Sequence, residues 1–399
     1  ARGIVLTIAN DTIGTGPRLQ LLSDDTELNR QVERDFTAWS NAVSLPEKLR
    51  TMRMARCQDG ESFALLMANP KISHTIQMDV QLIEADQVAG ELTFTPRDND
   101  IDGVKLDEHG NPVSYRVLKK HPGGQSFSVS DDANIIPANA IIHCFRADRP
   151  QLHRGIPEIT PALPLFAQLR RFTLAVITAA ESAANFAGIL YTDAPASGEA
   201  DAVEPMDLIE LERNMLLTMP GGWKMSQLQP EQPATTYAEF KHEILNEIAR
   251  CLNMPYNIAA GNSSGYNYSS GRLDHQTYFK AIRVDQDFIA RTVLDRILHI
   301  WLIEYLLASN KPVSRILPPH QWFWDGMEHV DPNKEANAQK LRLASNTTTL
   351  AYEYARQGRD WEEELRQIAR EKNLMRELGL GSDDLNKNTP SAMENNANG

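Results

Sequence analysis

The chain has 399 residues, 42% of them apolar and 23% charged, with a formal net charge of −13 at pH 7. That is enough chain, with an ordinary globular composition, to build a sizeable core and two or three domains. The acidic balance argues against a protein that grips DNA through clustered Lys and Arg, and no stretch nears 18 uninterrupted apolar residues, so no membrane-spanning helix is predicted.

Near the start, "IVLTIANDTIGTGPRLQL" is apolar and then turns at Gly14, Gly16 and Pro17. Its lone GxG lacks the strand–turn–helix context of a phosphate-binding fingerprint. Leu28, Val32, Phe36 and Trp39 recur at helical spacing and predict one helix over 25–58, with Asp24, Asp25 or Thr26 as its cap. Residues 60–147 read as mostly β, through "ESFALLMA", "HTIQMDVQLIEADQVA", "SYRVLKK", "QSFSVS" and "AIIHCFRA". The turns between them, "RDNDIDG", "DEHGNP" and "HPGG", are rich in Asp, Asn, Gly and Pro. "RDNDIDG" lacks the spacing of a calcium loop and reads as a solvated turn.

A long helix is expected over 160–187, with Thr160 as cap. Its second half, "AVITAAESAANFAG", is dominated by Ala and Ser, whose small side chains let helices approach closely. "GILYTD" reads as a strand, "ASGEADAVEP" as an acidic linker, and the following residues as a short helix and a hairpin turning at Pro220, Gly221 and Gly222. The next helix, 236–252, places Phe240, Ile244, Ile248 and Leu252 on one face.

Then comes "GNSSGYNYSSG", residues 261–271: three Gly, four Ser, two Asn and two Tyr, with no charge and no aliphatic side chain. It reads as a loop. After it, Tyr278, Ile282, Ile289, Val293, Ile297 and Ile300 form an apolar stripe, while Arg272, Asp274, Lys280, Arg283, Asp285, Arg291 and Asp295 leave it. A helix of roughly 35 residues would span about 50 Å. A Pro-punctuated aromatic connector leads to charged helices over 333–379, broken near "ASNTTTLA" and "RQGRDW". The tail "GSDDLNKNTPSAMENNANG" has almost no large apolar residue and is expected to be disordered.

No catalytic constellation stands out. "GNSSG" and "YSSG" are not the G-x-S-x-G elbow, the ten His form no H-E-x-x-H pair, and no P-loop is present. Asp98, Asp100 and Asp102 lie in a turn rather than converging as two-metal ligands. Cys57, Cys144 and Cys251 are far apart and in no C-x-x-C pair, so zinc and disulfides are not expected and a reducing compartment fits. The sequence begins at Ala1 without a Met, and no secretion leader is read there.

The order of these segments resembles the portal (head–tail connector) proteins of tailed bacteriophages, in particular the lambda-like family. The likeness covers roughly residues 3–380. It is carried by "IVLTIANDTIGTGPRLQL", "ADRPQLHRGIPEITPAL", "ARCLNMPYNIAAGNSSGYNYSSGRL" and "WDGMEHVDPNKEANAQKLRL", the last continued by "YEYARQGRDWEEELRQIAREKNLM". The resemblance implies an α+β, elongated subunit: a β-rich wing over 1–156, a stem helix over 157–187, a small α/β clip over 188–235 and a second stem helix over 236–255. It further implies a tunnel loop over 256–271, a long kinked helix and wing return over 272–332, a helical crown over 333–380 and a tail over 381–399.

It implies no chemistry and no cofactor or metal. The implied partners are further copies of the chain in a dodecameric ring, the large terminase subunit, a head–tail adaptor or tail protein, and a major capsid or scaffold protein. Double-stranded DNA would pass without sequence reading, and no membrane is involved. The implied location is a capsid vertex of the virion, after assembly in the bacterial cytoplasm. Asn262, Ser263, Ser264, Tyr266, Asn267, Tyr268, Ser269, Ser270 and Arg272 would form the DNA-facing loop. Ala180, Ala183, Ala184 and Ala187 would pack against the neighbouring stem, and Trp223 and Lys224 would mark the clip edge that meets a partner. Two other readings remain open: a soluble serine or carboxylate hydrolase, and a capsid scaffold or adaptor without DNA contact.

Overall fold

The computed structural model describes residues 1–90, 100–124, 132–185, 189–192, 223–226, 234–313, 316–326, 332–355 and 357–380. The chain divides into two compact units, one formed mainly by residues 158–278 and the other by Ile4–Pro157 with the chain from Phe279 onward.

In the second of these units, the apolar opening segment is a helix, α1 (Arg2–Ile13), that buries Ile4, Val5, Ile8 and Ile13. It ends in the expected turn, with Gly14 and Gly16 at positive φ, and strand β1 (Arg18–Leu21) follows. The single helix expected over 25–58 is two helices, α2 (Thr26–Ala42) and α3 (Leu45–Asp59). Ser44 sits between them at φ 54°, and Pro46 lies in the first turn of α3, where its missing N–H costs nothing. Asp25 is the cap of α2, its Oδ1 accepting the Leu28 N–H at 3.0 Å. Val32, Phe36 and Trp39 are buried as their spacing required, and the Trp39 indole donates to the Met78 carbonyl at 2.8 Å.

Strand β2 (Glu61–Ala68) is the centre of a three-stranded antiparallel sheet. It lies between β3 (Met78–Ile83) and, later in the chain, Ile141–Phe145, with Phe63 opposite both Ile83 and His143. Strands β4 (Asp100–Ile101), β5 (Val104–Leu106), β6 (Pro112–Leu118) and β7 (Ala133–Pro137) make a second antiparallel sheet. Ile141–Phe145 is β8. Phe63, Ile83, Val88, Val104, Leu106, Tyr115, Val117 and Ile141 form the apolar cluster shared by these strands. The expected strand "QSFSVS" lies outside the described residues. The turn at 102–103 has Asp102 at φ 48° and Gly103 at φ 84°, and a Cβ at Gly103 would meet the Ala89 backbone at 2.7 Å.

Arg154, from the "HRGIP" stretch, ties this region together. Its Nε donates to Glu61 at 2.7 Å, and its Nη1 donates to the carbonyl of Val88 and the carboxylate of Asp102, each at 2.9 Å. Glu61 also accepts from the Gly155 N–H and bonds buried His143 at 2.9 Å. These contacts hold its carboxyl below the usual range although burial acts the other way. A Cβ at Gly60 would meet the backbone of Gly155 and Ile156 at 2.6 Å, so the two segments touch backbone to backbone.

The unit formed mainly by residues 158–278 starts with a 3-10 turn at Thr160–Ala162, so Thr160 is not the cap of the helix. That helix, α4 (Leu163–Asn185), begins three residues later. Strands β9 (Ile189–Thr192) and β10 (Trp223–Ser226) pair antiparallel, Trp223 opposite Thr192. The hairpin turn expected at Pro220 to Gly222 lies outside the described residues, and the described partner of β10 is β9. Helix α5 (Ala234–Cys251) returns against α4: the Phe172 ring is 4.1 Å from Phe240 and stacks on Tyr237 at 5.8 Å. Ile244 and Ile248 are buried, while Phe240 is 37% exposed despite its place on the same stripe.

A short helix, α6 (Tyr256–Ala260), precedes the loop. Then α7 (Tyr268–Ile289) runs through a π-helical turn at Ala290–Leu294 into α8 (Asp295–Ala308). Most of the apolar stripe read from sequence is realised: Tyr278 and Ile282 are buried, and Ile289, Val293 and Ile297 enter the core with α2 and β2, joined by Trp301, which was not on the stripe, while Ile300 is only partly buried. The π turn adds a residue to one turn, which is how a helix re-aims its stripe. Asp285 does not leave the stripe for water. It accepts from Arg53 Nε at 2.7 Å and is also bonded by Arg56, and both arginines are buried.

The aromatic connector contains β11 (His320–Phe323), which pairs antiparallel with β1, Arg18 opposite Phe323. Among the described residues three helices follow, charged α9 (Pro332–Ala344), the short and mostly apolar α10 (Leu350–Ala355), and charged α11 (Trp361–Glu377). Arg342 bridges Glu335 and buried Glu353 at 2.9 Å each. Segments far apart in sequence meet here. Thr15 donates through Oγ1 to Asp325 at 2.8 Å, Arg18 donates to the Gly358 carbonyl at 3.0 Å, and Gln20 bonds Asp360, the cap of α11. The residues of 381–399 lie outside the described part. Among the described residues no helix is long and apolar enough to cross a membrane.

Candidate functional site

The segment expected to be a loop over 256–271 is a loop only over 261–267. Residues 256–260 are α6, and Tyr268 to Gly271 are the first turn of α7. Composition read those residues as loop because Tyr, Ser and Gly are poor helix formers, yet Asn267 supplies the missing start signal. Its Oδ1 accepts the Ser270 N–H at 2.8 Å, a helix N-cap bond. Asn262, Ser263, Ser264, Asn267, Ser270 and Arg272 are exposed, and Tyr266 is half-buried. Tyr268 and Ser269 belong to α7, with side chains outside the described set.

The loop is closed by its own hydrogen bonds. Gly261 ends α6 at φ 61°, where its N–H donates to the carbonyls of Asn257 and Ile258. The Asn262 N–H donates to the Asn257 carbonyl at 3.0 Å and the Tyr266 N–H to the Ser263 carbonyl at 3.2 Å. The Ser264 N–H bonds Asn262 Oδ1 at 2.9 Å. A Cβ at Gly261 or Gly265 would meet nothing within 4 Å, whereas one at Gly271 would touch the Tyr266 ring at 3.7 Å. Tyr266 therefore folds back over the start of α7 and leaves residues 262–265 as the tip. Burial raises its phenol pKa, with the Asp274 carboxylate adding to the effect.

Asn257 was not singled out from sequence, yet it lies at the base of this loop. It is 9% exposed, and its Nδ2 is 2.9 Å from His275 Nε2. This is the imidazole nearest in sequence to the serines, and its Nε2 is engaged by the amide. Among the described residues no group of three or more His, Cys, Asp or Glu could hold a metal ion.

Of the expected stem contact residues, Ala180 is exposed on α4. Ala183 and Ala184 lie in α4 with side chains outside the described set, and Ala187 lies outside the described residues. A different feature is visible on the same helix. Leu163, Leu174 and Ile177 are 53%, 55% and 48% exposed; with exposed Ala167 and Arg170, they share one face at spacings of three and four. On α5, Glu239, Glu243 and Glu247 are exposed at every fourth position. Of the expected clip pair, Lys224 is exposed on β10, opposite Tyr191. Trp223 lies beside it in the strand, its side chain outside the described set.

The family model described as phage portal protein, lambda family, matches residues 1–286 of this chain. A protein of Halomonas phage phiHAP-1, called a probable portal protein, is 24% identical over 383 residues, covering 89% of this chain and 72% of the relative. Among solved structures, a chain of the neck of an empty gene transfer agent particle, computed with C6 symmetry, aligns with a TM-score of 0.54 at 15% identity, over 86% of this chain and 84% of that one. A chain of the neck of the native particle, computed with C12 symmetry, gives 0.50 at 14% identity, over 87% and 85%. At these identities the structural likeness is one of fold.

Proposed function

The chain belongs to the lambda family of phage portal proteins, and from that premise we propose that its copies close into a ring, a dodecamer, at one vertex of a phage capsid. Double-stranded DNA is driven inward through the ring by a terminase and later leaves through it toward a tail or adaptor. In this reading the chain is a conduit without chemistry of its own. The two sheets with α1–α3 and β11 form the wing, α4 and α5 the stem, the β9–β10 ribbon part of the clip, and α9–α11 the crown. Lys224 and Trp223 sit on the ribbon edge that meets the terminase or adaptor. A capsid or scaffold protein surrounds the wing, and the ring is built in the bacterial cytoplasm before it joins the virion.

The ring contact is assigned to the stem. Leu163, Leu174 and Ile177 expose an apolar face on α4, flanked by Arg170 and Arg171. The exposed Glu239, Glu243 and Glu247 of α5 offer the opposite charge. A surface with one face basic and apolar and another acidic suits a head-to-tail contact, which closes into a ring when the rotation permits.

One observation carries the DNA-channel reading: the exposed tip from Asn262 to Gly265 has no charge, and its base is fixed by hydrogen bonds. Neutral amides and hydroxyls touch phosphate without reading sequence. Without cations there is no counterion release to trap the polyanion. The test is to replace Ser263 and Ser264 together by Lys. Rings of unchanged size that package DNA roughly tenfold more slowly at low salt, with the defect shrinking as salt screens it, are the expected result. Packaging at the normal rate in low salt would remove the loop from the DNA path.

A further inference from the structure

We infer that Asn257 is the positioning residue of the 261–267 loop, acting with His275 as a staple between its two ends. The inference rests on the channel reading only for its consequence, because the staple itself is a matter of geometry.

Several of the bonds that fix the loop converge on this one residue. Its carbonyl accepts from Gly261 and Asn262 at the loop's entry. Its side-chain amide reaches past the loop to His275, in the second turn of α7. Asn267 then starts α7, and Tyr266 covers Gly271. The seven residues between α6 and α7 are thereby a short closed arch with an open tip, not a free tether.

The chemistry of the amide supports a positioning role over mere filling. Asn257 Oδ1 is buried and has no partner among the described residues. A buried oxygen without a donor is a cost that a leucine of the same branched shape would avoid. What the amide supplies and leucine lacks is the bond to His275. Rotation of the amide exchanges Nδ2 for Oδ1, so a donor meets an unprotonated Nε2 and an acceptor meets a protonated one. The staple therefore holds in either charge state of the imidazole.

Hydrogen exchange on the assembled full-length chain tests this, with peptides covering 261–267 and α5 followed separately. Asn257→Leu keeps the branched shape and heavy-atom count and removes the bond; the loop amides should exchange at least about tenfold faster, with α5 unchanged, since a local opening moves only the unit it frees. Asn257→Asp keeps an acceptor for His275 and should restore most of the protection. His275→Leu, at a half-exposed position, should reproduce the Asn257→Leu effect, and the double variant should add nothing. Normal loop protection in Asn257→Leu, or equal loss over loop and α5, would overturn the staple. Packaging by the same variants separates the two claims: a loosened loop with normal DNA retention would leave the staple standing and refute the channel role.

Discussion

Glu33 shows how one side chain carries a pH response. It lies on α2 and accepts the Leu21 N–H at 2.6 Å, facing the start of α11. Burial pushes its pKa from 4.5 up to about 7, against the lowering effect of the Leu21 bond, and the carboxylates of Asp360, Glu363 and Glu362 add to the rise. The basic groups near that corner are engaged with other partners: Arg18 with the Gly358 carbonyl, Arg366 with Glu362 and Arg359 with Glu364. A carboxyl whose folded pKa lies above its unfolded one binds its proton more tightly in the folded chain. Its contribution to stability is complete below pH 4.5 and is lost as pH rises through about 7. Urea midpoints measured across that window should fall for the native chain relative to Glu33→Gln. Parallel curves for the two proteins would show that the corner does not hold the proton.

At the scale of elements, strongly patterned segments were readable and interrupted ones were not. Strand β2 coincides with "ESFALLMA", and the stripe on α7 and α8 was visible from Ile289 to Ile297 because both faces obey the helical period. The break between α2 and α3 was hidden because the apolar spacing continues across it, and Pro46 is harmless in a first helical turn. Asp285 looked like a solvent residue because its arginine partners lie more than 200 positions away in sequence. The loop's limits were misjudged because composition cannot reveal that Asn267 caps a helix, and Asn257 carries no pattern at all. The Ala-rich half of α4 drew attention to small residues, whereas the exposed apolar face lies at Leu163, Leu174 and Ile177. Those side chains contribute little to the isolated fold, so Leu174→Asp with Ile177→Asp should leave the thermal midpoint of the subunit within a few degrees and abolish assembly, read by mass photometry. Rings that still form would move the subunit contact elsewhere.

For the whole molecule, the informative property was the order of separated stretches, each weak alone. The folded chain gives a physical reason for their spacing. Thr15 and Asp325 meet, Arg18 reaches Gly358, Gln20 reaches Asp360, and Arg154 joins Glu61 to Asp102. These pairs lock one unit of the subunit from segments scattered over the chain, and sequence displays the members of each pair without displaying the pairing. Ring closure is a further step that no single subunit contains. The proposed closure uses the apolar, basic face of α4 and the acidic face of α5. The direct measurement is electron microscopy of the purified chain viewed along its symmetry axis. The account predicts a closed ring of twelve copies with residues 261–267 at the inner rim; a chain that stays monomeric at high concentration, or a ring that turns this loop outward, would contradict it.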